Sequence, residues 1–218
     1  MDRIDGVLST LKVLYPNPKS ELEFKNNFEL IVAVILSAQC TDKRVNVVTK
    51  KLFKVCPTPI ELDNIATTEL EEIIKPCGFY HNKAKNLKAM AKDLVVRFNG
   101  NVPSNKNDLK SLAGVGEKTA NVVLIAGFNI PAIPVDTHMF RVSNRLGLVS
   151  HKTVEGTQKQ LEKVIPKDYW IDGHHAIILH GRYVCKSRNP DCNNCKLKKY
   201  CKYYEENILP KCANWYFR

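Results

Sequence analysis

Apolar residues recur at helical spacing along almost the whole chain. Ile4, Val7, Leu8, Leu11 and Leu14 form one such face, and Pro16 and Pro18 end the helix it predicts. Phe28 to Ala38 is apolar on every side, the pattern of a buried central helix. Thr41 reads as the N-cap of the next helix, whose apolar face is Val45, Val48, Leu52 and Phe53; Pro57 and Pro59 break it. Further helices are predicted over Thr68–Lys75, Lys83–Phe98, Asn107–Leu112, Glu117–Phe128 and Thr137–Gly147, around Lys152–Val164, and over His174–Val184. Gly100, Pro103, Pro131 and Pro134 punctuate them. No stretch alternates with the period of a strand, and there is no repeat or low-complexity segment. Glu69, Glu71 and Glu72 read as a solvated helix face. The segment from Cys212 onward has no periodicity, and its Trp215, Tyr216 and Phe217 either cover a core edge or have no role.

The 218 residues allow one large domain or two small ones. Charge changes the picture more than length does. Lys and Arg total 33 against 22 acids, a net charge of +11, with a pI near 9.2. That excess favours a polyanionic partner, nucleic acid before membrane, although a basic solvated surface explains charge alone equally well. Residues 181–218 hold nine Lys or Arg and three acids, together with five of the eight cysteines. Asp2, Arg3 and Asp5 precede only short apolar stretches, so no secretory signal is expected. The longest apolar run, Leu30 to Ala38, is too short to span a bilayer. These features predict an intracellular protein with no membrane association. Thiols stay reduced there, so clustered cysteines point to a metal before disulfides.

Three constellations carry chemistry. The first is Cys185-x6-Cys192-x2-Cys195-x5-Cys201, four thiols that can converge on one metal centre. Spacing alone admits either zinc or an iron–sulfur cluster. Cys40, Cys56, Cys77 and Cys212 are scattered and read as small buried hydrophobes. The second runs from Leu109 and Leu112 through Gly114-Val115-Gly116 to Lys118, Thr119 and Ala120. It is a helix, a tight turn and a second helix whose first N–H groups are free to bind phosphate, although a plain structural corner has the same pattern. The third is Pro134-Val135-Asp136-Thr137-His138 before a helix. By default Asp136 is an N-cap and His138 a satisfied structural histidine; a functional reading needs Lys118 and Asp136 to face one another.

Together the three constellations resemble the endonuclease III family of helix–hairpin–helix DNA glycosylases. Its other landmarks are Leu36-Ser37-Ala38-Gln39, Gly78-Phe79-Tyr80, Asn121-Val122-Val123-Leu124 and His180-Gly181-Arg182-Tyr183, in the family's order from about Leu11 to Cys201. The resemblance implies an all-α fold of two lobes with a DNA cleft between them. Residues 20–130 would form a lobe of about six helices bearing the hairpin. Residues 1–19 with 131–211 would form a lobe holding a [4Fe–4S] cluster on Cys185, Cys192, Cys195 and Cys201, and 212–218 would be a tail. It implies a monomeric bifunctional glycosylase and abasic-site lyase acting on oxidised pyrimidines in damaged double-stranded DNA, in the cytoplasm or nucleoid, or in the nucleus of a eukaryote. Lys118 would be the nucleophile and Asp136 its acidic partner. Gln39 would fill the gap left by a flipped base and Phe79 would wedge into the stack. Gly114, Val115, Gly116 and Thr119 would bind DNA, with Lys186 and Arg188 directed at phosphates. Ser37, Asp42 and His138 would lie near the pocket.

Ala113 stands where the family usually has proline, Glu117 where a basic residue is common, and Phe79 where the wedge is typically aliphatic. These departures bear on affinity and leave the reaction class alone. Two other functions compete: a monofunctional adenine-type glycosylase, which lacks the hairpin lysine, and a non-catalytic iron–sulfur protein that binds DNA or senses redox state. Lys118 needs a lowered pKa to act as a nucleophile. Its helix N-terminus and its apolar neighbours Val115, Ala120 and Val122 are expected to supply that, with Glu117 facing solvent.

Overall fold

The structure, a computed structural model, describes residues 2–210. The expected tail and Cys212 therefore lie outside the described residues. All regular elements among those residues are helical. The chain divides into two compact units, residues 20–132 and residues 1–19 with 133–218.

Residues 20–132 are built around α2 (Asn27–Ser37). Every residue from Phe28 to Leu36 is buried, as the apolar run from Leu30 requires, and Glu29 is buried with its carboxylate accepting from the Lys25 N–H (2.7 Å); Ala38, already outside the helix, is exposed. Asn26 caps this helix through the Glu29 N–H. Around it stand α3 (Asp42–Val55), α4 (Pro59–Asn64), α5 (Thr67–Ile74), α6 (Tyr80–Phe98), α7 (Lys106–Ser111) and α8 (Glu117–Phe128). Thr41 accepts from the Arg44 N–H, the expected cap of α3. Two elements differ from the sequence expectation. Pro59 does more than break α3: it opens α4, where Thr58 and Glu61 form a capping box. That short helix makes seven where about six were expected. The second difference is α6, which starts at Tyr80, three residues early, because Phe79 occupies the cap position without any side-chain hydrogen bond.

The other unit contains α1 (Arg3–Leu14), α9 (Thr137–Leu146), α10 (Val154–Val164), α11 (Trp170–Tyr183) and α12 (Lys202–Asn207). Helix α11 begins four residues before the expected His174, because the 3-10 turn Lys167–Tyr169 leads straight into it. Helices α1, α9 and α11 enclose a core that includes Val7, Leu11, Met139, Val142, Leu146, Ala176, Ile177 and Leu197. Gly181 allows α11 to lie close on α9: a Cβ there would come within 3.1 Å of the His138 Cβ and 3.0 Å of Val142. No helix among the described residues is long and apolar enough to cross a membrane.

Candidate active site and cysteine loop

Lys118 is the second residue of α8 and is exposed. The turn before it is closed by the Val115 N–H on the Leu112 carbonyl (3.2 Å). Gly114 sits at φ +79°, a left-handed conformation that glycine adopts without strain. Gly116 is different. Its φ of −87° suits any residue, and a Cβ there would meet nothing within 4 Å. Packing therefore does not call for glycine at 116; the bare main chain leaves room for a ligand to approach. The first intrahelical bond of α8 is Ala120 N–H to Gly116 carbonyl (2.9 Å), and no side chain caps the helix. The N–H groups of Glu117, Lys118 and Thr119 are thus without helical acceptors, an arrangement suited to phosphate oxygens.

Val115 and Ala120 are buried in the core beneath the turn. They do not wrap the lysine, which stands on the exposed side of the helix. The expectation that its apolar sequence neighbours form a dry surround is corrected by this placement. Glu117 is turned away from the amine, as expected: its carboxylate pairs with Lys106 and, at 2.9 Å, with Lys110. Those two ammonium groups hold its carboxyl below the usual carboxylate range.

Gln39 and Phe79 share an unusual property. Five non-glycine residues among those described have positive φ, and three of them are asparagines. The other two are Gln39 (φ 54°) and Phe79 (φ 49°). Asparagine tolerates the left-handed region; glutamine and phenylalanine are held there only by their surroundings. Ala38 (φ −55°, ψ 115°) followed by Gln39, with the Cys40 N–H on the Ser37 carbonyl (3.0 Å), makes a type II turn. Its third position normally belongs to glycine. Both side chains are exposed, Phe79 to 64%. Ser37 ends α2 with its hydroxyl on the Val34 carbonyl (2.8 Å), and half-buried Asp42 opens α3. The turn and helix residues from 37 to 42 and from 77 to 80 are joined by Lys83, whose importance the sequence did not signal. Its ammonium donates to the carbonyls of Leu36, Ala38 and Cys77.

In the other unit, Asp136 is the N-cap of α9, its Oδ1 accepting from the Met139 N–H at 2.8 Å. The cap fixes the carboxylate and leaves its half-buried side chain at a helix end. His138 is held: its Nδ1 accepts from the Arg141 guanidinium at 3.2 Å. Arg141 also donates to the carbonyls of Gly181 (2.9 Å) and Cys185 (3.1 Å). One helical turn on, Arg145 donates to the carbonyls of Lys186 (2.7 Å) and Ser187 (3.1 Å) and to the Cys185 Sγ (3.7 Å). Two arginines four residues apart on α9 thus shape the loop after Cys185. The sequence offered only their i,i+4 spacing, which surface residues commonly share. Lys186 and Arg188 are exposed on that loop.

Cys185, Cys192, Cys195 and Cys201 line one cavity, with Leu146, His180 and Val184. All four are half-buried free thiols. Among the described residues no three His, Cys, Asp or Glu side chains are grouped so as to hold a metal ion. The surroundings nevertheless suit sulfur carrying negative charge. Arg145 donates to one Sγ, and the His180 ring approaches Cys195 Sγ at 3.6 Å through Nε2. Burial pulls His180 down to about 4, so the ring is neutral and carries a single N–H. The Tyr15 hydroxyl lies 3.2 Å from Nδ1; when it donates there, the ring N–H is on Nε2 and faces the sulfur. Burial pushes Cys195 up to about 11 and raises Cys192 and Cys201, so these sulfurs are thiols until a metal displaces the protons.

The family model of HhH-GPD superfamily base excision DNA repair proteins matches residues 32–167. Endonuclease III of Haemophilus influenzae is 45% identical over 92% of this chain and 95% of its own length. That of Rickettsia conorii is 48% identical over 87% of this chain and 90% of its own. A solved trapped covalent intermediate of Endonuclease III with DNA matches at TM-score 0.87 and 44% identity, over 91% of this chain and 93% of the other. With the uncapped hairpin helix carrying its lysine, these likenesses mean that the chain belongs to the Endonuclease III family of the HhH-GPD superfamily, base excision repair enzymes that pair DNA glycosylase with abasic-site lyase activity.

Proposed function

We propose that the substrates are oxidised pyrimidines in duplex DNA and that Lys118 is the nucleophile. The observation that carries this reading is an exposed amine on the first turn of an uncapped helix, next to a glycine turn with open space over Gly116. A phosphate bound by the free N–H groups would bring the sugar of the same strand to the amine. Lys118 reacts as the neutral amine, the form that has a lone pair. The amine attacks C1′ and the damaged base leaves with its bonding electrons. Ring opening gives an imine between Lys118 and C1′. That imine acidifies the C2′ proton, whose loss expels the 3′ phosphate and breaks the strand. Asp136 stabilises positive charge developing on the sugar and takes part in deprotonating the amine. The trapped covalent intermediate described for a relative supports an enzyme–DNA bond in this family.

The target base is otherwise stacked out of reach, so the nucleotide is flipped, and Gln39 and Phe79 occupy the vacated space. Lys186 and Arg188 contact phosphates without reading sequence. We assign a [4Fe–4S] cluster to Cys185, Cys192, Cys195 and Cys201. Lining one cavity does not separate one zinc from a cluster; membership in the Endonuclease III family, whose cysteine spacing this chain shares, favours the cluster, and the Arg145 guanidinium and His180 ring beside the sulfurs suit their negative charge. When bound, a cluster would supply a fixed anchor for the loop bearing Lys186 and Arg188. Purified protein is expected to be brown with about four irons per chain; one zinc in a colourless, active protein would refute the assignment. The work place is wherever the cell keeps its chromosome.

Borohydride tests the nucleophile. Incubated with duplex DNA holding one oxidised pyrimidine, the protein should become covalently bound through Lys118. Cross-linking of Lys118→Gln at the wild-type rate would assign the chemistry to another amine. Excision of adenine without any cross-link would favour the monofunctional alternative.

A further inference from the structure

Lys83 lies in the first turn of α6 and is only 5% exposed. Its Nζ donates to three main-chain carbonyls: Leu36 at 2.9 Å, Ala38 at 2.8 Å and Cys77 at 3.0 Å. Its own N–H donates to the Phe79 carbonyl at 3.0 Å. The first two carbonyls lead into Gln39, and the other two belong to the turn that ends at Phe79. One residue therefore ties both left-handed positions to a single point.

A plainer account is helix capping, since the Leu36 carbonyl ends α2 and a cation at a helix C-terminus is favourable. An exposed lysine or water would do that without removing a charge from solvent. Here the buried ammonium spends all three of its N–H donors on main chain, two on one turn and one on the other. That exhausts its donors and sets the spacing of two turns far apart in sequence, one of them 45 residues before Lys83 itself.

We propose that Lys83 is a positioning residue for base flipping. It holds the Ser37–Cys40 turn and the Cys77–Phe79 turn at one fixed spacing, so that Gln39 and Phe79 enter the duplex as a unit. The inference rests on the reading of those two residues as the ones that fill the vacated space. The physical reason is preorganisation. Two turns that moved independently would each have to be ordered during insertion, adding to the cost of unstacking the base. Lysine suits the task better than arginine. Three bonds diverge tetrahedrally from one ammonium nitrogen, while a planar guanidinium fork spreads its donors in a sheet and leaves one carbonyl of this set unmet.

The test compares two rates: excision of an oxidised pyrimidine from duplex DNA, and cleavage at a pre-formed abasic site in a single strand. Fluorescence of 2-aminopurine placed opposite the lesion follows flipping directly. Lys83→Met should lower the duplex rate and the fluorescence amplitude, the rate by about 10- to 100-fold. Its single-strand cleavage should stay within about twofold of wild type. Lys83→Arg should lower the ratio of the two rates less than Lys83→Met does. In a Gln39→Ala/Phe79→Ala background, Lys83→Met should change the ratio by no more than about twofold, because the parts it positions are gone. A wild-type ratio in Lys83→Met, alongside a low ratio in Gln39→Ala/Phe79→Ala, would overturn the inference and leave the wedge reading standing. A wild-type ratio in Gln39→Ala/Phe79→Ala would sink the wedge reading and the inference with it. Equal loss of both rates in Lys83→Met, or a further fall in the wedge-less background, would make Lys83 merely structural. Should Lys83→Met prove insoluble, Lys83→Arg decides alone, and a wild-type ratio there overturns the proposal.

Discussion

In residues 20–132, two side chains assigned to DNA stand on main chain held in an unfavourable conformation: Gln39 and Phe79 are left-handed. In residues 133–210, the cysteines stand on a loop propped from below by two arginines and a histidine. The contrast follows from what each part must do. A side chain that enters a duplex must be exposed, so nothing can pack against it; its direction has to be fixed by the backbone beneath it. Sulfurs that hold a metal group are partly buried and gain from donors that balance their charge. Strain positions the first set, and electrostatics positions the second.

The comparison can be broken most severely at Lys118. Lys118→Gln should abolish borohydride trapping and lower turnover by roughly 10³-fold or more, while duplex binding stays within a few-fold of wild type. A variant that still turns over would move the reaction away from the exposed hairpin helix. Next in size is the cysteine loop. Cys195→Ser removes a sulfur beside the His180 ring, and should give protein with a depleted cluster and several kcal/mol less stability, since metal binding energy is folding energy. Iron content and thermal unfolding measure both. An unchanged melting temperature in iron-free protein would mean that this loop owes nothing to its metal.

Gln39→Gly sharpens the contrast from the other side. Glycine fits the type II turn without strain, so the change should raise stability by about 0.5–1 kcal/mol and yet lower excision from duplex DNA. Loss of stability in a denaturant titration would show that the left-handed geometry is not a strain. The smallest effect belongs to Glu117. Its carboxyl lies below the usual range because Lys106 and Lys110 bind it. The stability this contributes is present above the unfolded carboxyl's pKa and is lost as pH falls through the lowered folded value. The ion pairs are half exposed, so Glu117→Gln should cost under about 0.5 kcal/mol at neutral pH. It should also free two ammonium groups beside the hairpin, steepening the salt dependence of DNA binding by about one to two phosphate contacts. An unchanged salt slope would place Lys106 and Lys110 outside the DNA footprint.

Features that depend on neighbours in sequence were legible from the residues. The start of α8 at Glu117 follows from Gly116, the cap of α3 from Thr41, and the burial of α2 from an apolar run that leaves no polar face. The cysteine spacing pointed to four thiols that converge, and they line one cavity; Asp136 pointed to a cap. The short α4 was also written locally, in Thr58-Pro59 and Glu61, but the two prolines masked it as a break. The early start of α6 was not, because phenylalanine is no capping residue and takes the left-handed conformation only under outside constraint.

That constraint, like most of the site's support, comes from residues far along the chain. Lys83 reaches Leu36 across 47 positions, and Arg141 reaches the Cys185 carbonyl across 44. A lysine in a helical pattern looks the same whether it is solvated or buried under three carbonyls, and an arginine pair at i,i+4 looks like any surface face. The sequence by itself determined the helices, the hairpin, the lysine and the cysteine set, since periodicity, turn chemistry and spacing are local properties. Only the tertiary structure decided that Gln39 and Phe79 are strained, that Lys118 is exposed above an apolar floor, and which buried cations hold these parts in place. Such facts depend on which carbonyls and side chains distant segments bring within hydrogen-bond reach, and no local pattern encodes that.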